Sequence, residues 1–377
     1  MAERVLELEI DAVDGQARAG RVHTPRGTFE TPVFMPVGTR ASVRALSSQD
    51  LEELGAEIML GNTYHLMLRP GEALIDDLGG LHGFMAWDRH VLTDSGGFQI
   101  YSLEPRVDDE GAIFRSTYDG TTHHLTPETA AAVQRRLGAD IQMVLDVCPA
   151  LPASTEVVRT AVERTATWAR RGRAAFLAGR RSGATAAQRS QAQFGIVQGG
   201  VDLDLRRQST ERTLEVGFDG YAIGGLSVGE PRQQLLPALE VVTAALPLDQ
   251  PRYLMGVGDP IGFVEGIGRG VDMFDCVLAT RLARHGTILT DAGRLNLRNA
   301  EHARQAGPLD PGCACPVCQR WSRAYLRHLL RVGEPSSARL LTIHNLHWCL
   351  RLMRDARAAI REGRFEALRA AVVGTWG

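Results

Sequence analysis

The sequence predicts an α/β protein built as a (β/α)8 barrel with a small cysteine-rich insertion near its C-terminal end. Three observations predict it. Eight short apolar runs alternate with segments of helical period, most of those runs end in a polar residue or a glycine, and 377 residues suffice for one large barrel with an added subdomain. An open, doubly wound sheet alternates strand and helix in the same way and stands as the second arrangement.

The chain opens with alternating VLELEI, a turn at Asp14-Gly15 and a returning QARAGRV, the pattern of a hairpin. The eight runs follow as TPVFMPV (31–37), EIMLGN (57–62), HVLTDSGG (90–97), DIQMVLD (140–146), QFGIVQGG (193–200), GYAIGGL (220–226), RYLMGVG (252–258) and VDMFDCV (271–277). Between them lie SSQDLEELGA, TPETAAAVQRRLGA, STEVVRTAVERTATWARRGRAAFL and PRQQLLPALEVVTAAL, each opened by a capping or turn residue. The polar stretch GRRSGATAAQRSQAQ (179–193) reads as a mobile loop. After the eighth strand come a further hairpin, GTILTDAGRLNLRN, and a final helical pattern, MRDARAAIREGRFEALRAAV. The expected division is a barrel with its N-terminal hairpin over 1–299, an inserted subdomain over 300–350 and a closing helix over 351–377.

The insertion carries Cys313-x-Cys315-x-x-Cys318, with His344 beyond and His347 as the rival fourth ligand. Soft thiolates this close together, completed by an imidazole, suit a tetrahedral Zn²⁺. Four protein ligands leave no open position for water, so the ion is expected to be structural, one per subunit. A disulfide framework is disfavoured, because Cys148, Cys276 and Cys349 are scattered singles and no secretory h-region opens the chain. No run approaches the ~18 to 20 apolar residues of a membrane span. A soluble, cytoplasmic protein is the expectation.

The net charge of −2 argues against a uniformly basic nucleic-acid binder, but the charge is unevenly placed. Residues 281–377 hold 16 Arg against 7 Asp and Glu, and every basic residue of the chain is Arg. A basic segment of this kind is the footprint of phosphate contacts, or of solvated helix faces.

Reactive groups in a barrel of this type sit at the C-terminal ends of strands. Here those ends read Asn62, Asp94-Ser95-Gly96-Gly97, Asp146, Gln198-Gly199-Gly200, Gly224-Gly225, Met255-Gly256 and Asp275. Two acids facing one pocket suit glycosidic-bond chemistry, one as nucleophile and one moving protons. Carboxylates and amides match the N–H edge of guanine, and Phe98, Tyr101 or Met255 would stack on a flat base. A sugar or a small amide fits the same groups.

LTDSGGFQ, FGIVQGG, AIGGLSVGE, YLMGVGDP, DMFDCV-x-x-TR and the CxC-x-x-C…HN pattern together resemble the tRNA-guanine transglycosylases, also called queuine tRNA-ribosyltransferases. The resemblance runs from the N-terminal hairpin to the closing helix, in the family's order. It implies a barrel with a zinc-binding insertion and a base exchange at the wobble position of GUN-anticodon tRNAs (those for Asp, Asn, His and Tyr). It implies Asp275 as the nucleophile at ribose C1′ and Asp94 as the general acid and base. Asp94, Phe98, Asp146, Gln198, Gly225, Leu226 and Met255 would then hold the base, and Arg281 and Arg284 the anticodon nucleotides. Cys313, Cys315, Cys318 and His344 match the zinc ligands. Val228, Cys148 and Glu230 resemble the bacterial form, which replaces guanine by 7-aminomethyl-7-deazaguanine (preQ1) in queuosine synthesis. The family forms homodimers.

Three departures stand out. Asp146-Val-Cys-Pro-Ala replaces the usual Asp-Glu-Cys-Thr run, Ala279 stands where Pro often precedes Thr-Arg, and the chain has no lysine for phosphate contacts. Rival readings are a non-catalytic partner subunit, a metal-dependent barrel hydrolase and a glycosidase of free nucleosides. The first loses catalytic acids that this chain keeps, and the second wants an HxH pair that the strand ends lack.

Overall fold

A computed structural model describes residues 5–103, 105–183 and 185–377. The chain begins with three antiparallel strands, β1 (Glu7–Asp14), β2 (Ala17–Thr24) and β3 (Gly27–Thr31). The expected hairpin is thus a three-stranded sheet, because GTFET continues the extended pattern after a turn at Pro25-Arg26. Then come β4 (Val33–Met35), β5 (Val37–Gly38), β6 (Ile58–Gly61) and β7 (His90–Thr93). A second antiparallel sheet follows: β8 (Arg106–Val107), β9 (Ala112–Arg115) and β10 (Thr122–Leu125). The barrel resumes with β11 (Ile141–Met143), β12 (Ala192–Val197), β13 (Gly220–Ile223), β14 (Arg252–Leu254) and β15 (Met273–Asp275), and a ribbon of β16 (Thr287–Thr290) and β17 (Gly293–Asn296) ends the strands.

The parallel sheet runs β4-β15-β14-β13-β12-β11-β7-β6-β5. Its two ends are halves of one strand, interrupted at Pro36, so the eight expected strands close on themselves. One half pairs with β15 and the other with β6. Proline has no N–H for the ladder, but the Pro36 carbonyl accepts from Leu60 N at 3.0 Å and carries the pairing across the break. The strands are buried along almost their whole length, as sheets covered on both faces are.

The N-terminal sheet seals the bottom of the barrel. Arg18 forms a buried double contact with Asp272, at 2.7 and 2.5 Å, and donates to the Leu248 and Gln250 carbonyls. Arg26 pairs with Asp140 at 2.7 Å, and Thr24 bonds His90 at 2.9 Å. Each partner lies at or just before the N-terminal end of a barrel strand, so the opposite face is left for chemistry.

The helices form where expected. Ser47 with Asp50 and Thr126 with Thr129 close capping boxes at Ser48–Glu53 and Pro127–Leu137, and Ser154 caps Thr155–Ser182. The described residues of the stretch 179–193 are largely helical, where the sequence suggests a loop. The helix runs on to Ser182, and a short turn, Ala186–Arg189, is capped by Thr185 and docked through Gln188 on Asp76 at 3.0 Å. The closing helical pattern is two helices, Pro335–Arg361 and Phe365–Trp376, broken at Gly363 with φ 66°. The first of them passes unbroken through residue 350, where the sequence sets the junction between insertion and closing helix. Among the described residues no helix is long and apolar enough to cross a membrane.

Candidate active site

The strand ends bring three carboxylates to the open face. Asp94 follows β7, Asp146 lies beyond β11 and Asp275 ends β15. None of them forms an ion pair with a described residue. Asp94 is instead held by neutral donors: Asn62 Nδ2 at 2.7 Å on one oxygen, and the Thr63 and Gly96 N–H groups at 2.8 and 3.2 Å on the other. The Thr63 hydroxyl also donates to the Asp94 carbonyl at 2.6 Å. Burial, and then the charge of Asp275, push the Asp94 carboxyl up to about 7 against these donors.

Asp275 accepts from the Tyr253 hydroxyl at 2.6 Å and from Gly256 N at 2.8 Å, both on Oδ1. Oδ2 has no protein donor among the described residues. Burial raises this carboxyl too, while burial and the charge of Asp275 keep Tyr253 protonated as a donor.

Asp146 is 6% exposed and accepts from Gln198 Nε2 at 2.6 Å and Ser95 Oγ at 3.3 Å, with burial pushing it up to about 6. Gln198 Oε1 is buried without a partner, an acceptor suited to a ligand N–H. Gly225 lies against this amide. It has φ 63°, and a Cβ there would stand 2.2 Å from Gln198 Oε1, so only glycine fits. Leu226 is buried in the core, Met255 is half-buried against it, and Phe98 is 61% exposed on the helix Gly97–Tyr101. Tyr101 packs instead among Phe114, Trp168 and Ile100. Glu230 binds its own loop through the Ser227 and Val228 N–H groups.

Sequence reasoning missed Arg206. It is fully buried and donates to the carbonyls of Val197 (3.0 Å), Gly200 (2.7 Å), Gly224 (2.8 Å) and Gly225 (3.0 Å). One guanidinium thereby fixes both glycine turns beside Gln198. Nothing in DLDLRRQST distinguishes Arg206 from Arg207 except the helical spacing that turns it inward.

Arg281 and Arg284 lie on the helix Leu278–Arg284, directly after β15. Burial, and then Arg44 and Arg281, lower the basicity of Arg284, so these three cations share one region. Of the departures, Val147 sits in the apolar cluster of Tyr64, Ile100 and Trp168, with its N–H on Thr165 Oγ1 at 3.0 Å. Ala279 is buried, and its carbonyl accepts from Asn345 at 3.1 Å.

The insertion brings the Cys313, Cys315 and Cys318 sulfurs to 3.7, 3.4 and 3.3 Å from His344 Nδ1, with all four ligand atoms within 4.8 Å of one another. Bonds of roughly 2.0–2.3 Å to a tetrahedral metal give edges of about 3.5 Å, so the four residues fit one ion. His344 Nε2 donates to the Leu289 carbonyl at 2.8 Å, which leaves Nδ1 free to ligate. His347 is outside the cluster. Asn345, next in the chain, binds Leu289 N and the Ala279 and Thr287 carbonyls, tying the metal-bearing helix to the helix of Arg281 and Arg284.

A family model described as queuine tRNA-ribosyltransferase matches residues 13–377. Relatives called queuine tRNA-ribosyltransferase include that of Desulforudis audaxviator, 55% identical over 94% of this chain and 93% of its own length. Those of Symbiobacterium thermophilum and Bacillus velezensis are 52% and 50% identical, over 96% and 97% of this chain and 88% and 94% of theirs.

The raised Asp94 carboxyl has a consequence for stability. An unfolded aspartate titrates near 4 and the folded one at about 7, so the folded chain holds this proton more tightly. The contribution is complete below pH 4 and is lost as pH rises through 7. Replacing the carboxyl by an amide, Asp94→Asn, removes that loss. The melting temperature of Asp94→Asn relative to wild type should climb between pH 4 and pH 8, measured by calorimetry; a constant offset would refute the assignment.

Proposed function

This chain belongs to the queuine tRNA-ribosyltransferase family of pentosyltransferases, the tRNA-guanine transglycosylases of queuosine synthesis, and we propose that it exchanges the wobble guanine of GUN-anticodon tRNAs for preQ1 through a covalent ester on Asp275. The observation that carries the reading is the carboxylate pair. Asp275 keeps one oxygen for attack while Tyr253 and Gly256 occupy the other. Asp94, in its electrostatic field, is poised near neutrality to give and take a proton.

In the proposed sequence Asp275 Oδ2 attacks ribose C1′ of the flipped nucleotide. The bond from C1′ to guanine N9 breaks, its electrons leave with the base, and Asp94 delivers a proton to that base. Asp94 then removes the N9 proton of the incoming preQ1, N9 attacks C1′, and Asp275 departs as a carboxylate. Positive charge develops at C1′ in both steps, and the adjacent carboxylate stabilises it. Asp146 and the Gln198 amide receive the N–H edge of the base, Gly225 and Leu226 line it, and Phe98 and Met255 enclose its faces. Arg281 and Arg284 hold neighbouring anticodon nucleotides. Val228 and Cys148 favour preQ1 over the bulkier queuine. The ion in the insertion (residues 300–350) is a structural Zn²⁺, one per subunit, since its ligands leave no open position. The protein acts as a cytoplasmic homodimer.

Pure protein should incorporate labelled guanine at the wobble base of an unmodified GUN tRNA, and preQ1 should compete better than queuine. Asp94→Asn should slow this exchange about 10²- to 10⁴-fold while tRNA still binds. Folded, metal-loaded protein that exchanges nothing would overturn the proposal. Elemental analysis should find one zinc per chain, and Cys318→Ala should lose zinc and melting temperature together. Full zinc with wild-type melting in that variant would refute the metal assignment.

A further inference from the structure

Barrel strands are counted here one to eight from β4/β5 to β15. The base-reading groups Asp146, Gln198, Gly225 and Met255 follow strands four to seven. Exposed arginines without a carboxylate partner follow the other half: Arg281 after strand eight, Arg40 and Arg44 after strand one, Arg69 after strand two. None of these forms an ion pair with a described residue, whereas Arg232, beyond strand six, is paired with Asp259 at 2.6 Å. The two catalytic carboxylates stand at the seams, on strands three and eight.

Within the cationic half, Arg40 and Arg69 place their guanidinium carbons 5.4 and 4.9 Å from the centre of the Tyr118 ring. Two like charges on one ring repel, and each exposed cation–π contact offsets little of that. An anion bound to either guanidinium relieves it.

The ring does not float. Tyr118 stands at the tip of the β9–β10 hairpin, closed by Ser116 N on the Thr121 carbonyl at 2.8 Å. Its hydroxyl bonds His65 Nδ1 at 2.9 Å, and Thr117 beside it bonds the Tyr64 hydroxyl at 3.1 Å. Tyr64 and His65 belong to the same helix turn whose first residues, Asn62 and Thr63, hold Asp94. The aromatic surface is therefore locked to the proton-transferring carboxylate. On the other side, the loop carrying Arg40 and Arg44 holds Ala41 and Ala45 at φ 60° and 72°. Non-glycine residues keep that conformation only where their surroundings impose it; Gly38 O and the Ser42 hydroxyl do so, at 3.1 and 3.0 Å.

We infer that Arg40, Tyr118 and Arg69 form a second nucleotide site, which takes a nucleotide flanking the exchanged one, with its base on the phenol or guanidinium planes and its phosphate paired with the arginines. The inference rests on the proposed exchange, because flipping the target base leaves its neighbours unstacked and in need of a surface. Its ligand class is a ribonucleoside monophosphate unit of single-stranded RNA.

The test measures tRNA affinity across a salt series, with KM for tRNA and for guanine, in Arg40→Gln, Arg69→Gln and Tyr118→Leu. Arg170→Gln, in an exposed ion pair with Glu215 at 3.5 Å on the outer helix Thr155–Ser182, serves as the control for a charge lost away from the mouth. Each platform arginine variant should weaken tRNA binding about tenfold and flatten the log–log salt slope by roughly 0.7. Tyr118→Leu should weaken it roughly 5- to 50-fold at unchanged slope. KM for guanine should stay at wild type, as should the melting temperatures of the two arginine variants and the tRNA affinity and salt slope of Arg170→Gln. Tyr118→Leu, which loses its bond to His65, should melt slightly lower. If wild type exchanges guanine while the three variants keep its tRNA affinity and slope, the site is wrong. If wild type exchanges nothing, the function fails, and the binding slopes still decide the site.

Discussion

Three carboxylates, Asp146 buried and Asp94 and Asp275 half-buried, share one rim with no ion-pair partner among the described residues, and the rest of the site follows from that constraint. An ion pair would have held Asp94 ionised and unable to give a proton. Neutral dipoles do less: an amide and two backbone N–H groups for Asp94, an amide and a hydroxyl for Asp146, a phenol and one N–H for Asp275. Burial therefore wins and raises all three carboxyls, Asp94 to about 7, where proton transfer is efficient. Arg206 obeys the same rule with the opposite sign, a buried cation solvated by four carbonyls.

Keeping such groups unpaired requires a scaffold that is stabilised elsewhere. Ion pairs hold the bottom of the barrel, with Arg18 on Asp272 and Arg26 on Asp140. The metal-bearing helix Pro335–Arg361 joins both ends of the problem. Its His344 and Asn345 grip β16 and the helix of Arg281, and farther along Arg357 reaches the Pro32 carbonyl and Glu30. The four-residue cluster that could hold a metal ion thus sits on the same helix that fixes the arginines at the mouth.

Much of this was legible in the sequence because strand-end chemistry is local. Asp94, Asp146, Gln198 and Asp275 each follow an apolar run, and the three cysteines lie within six residues of one another. What escaped depends on distant partners. Arg206 looks like any polar helix residue until the glycine turns it holds are in place. The β8–β10 sheet escaped because AIFR and THHL are short and partly polar, with no alternation long enough to read. The Tyr118 platform joins loops after three different strands. The helix end at Ser182 escaped because RRSG resembles a loop, yet Thr185 restarts helical structure three residues on.

The central claim is that Asp275 carries the ribose through a covalent ester, and it is tested most directly by trapping and mapping that ester. Wild-type protein mixed with GUN tRNA, denatured and digested, should yield a peptide containing Asp275 linked to the ribose of the wobble nucleotide. Asp275→Asn, folded and tRNA-binding, should yield none. A normal adduct yield in that variant, or an ester mapped to Asp94, would contradict the account.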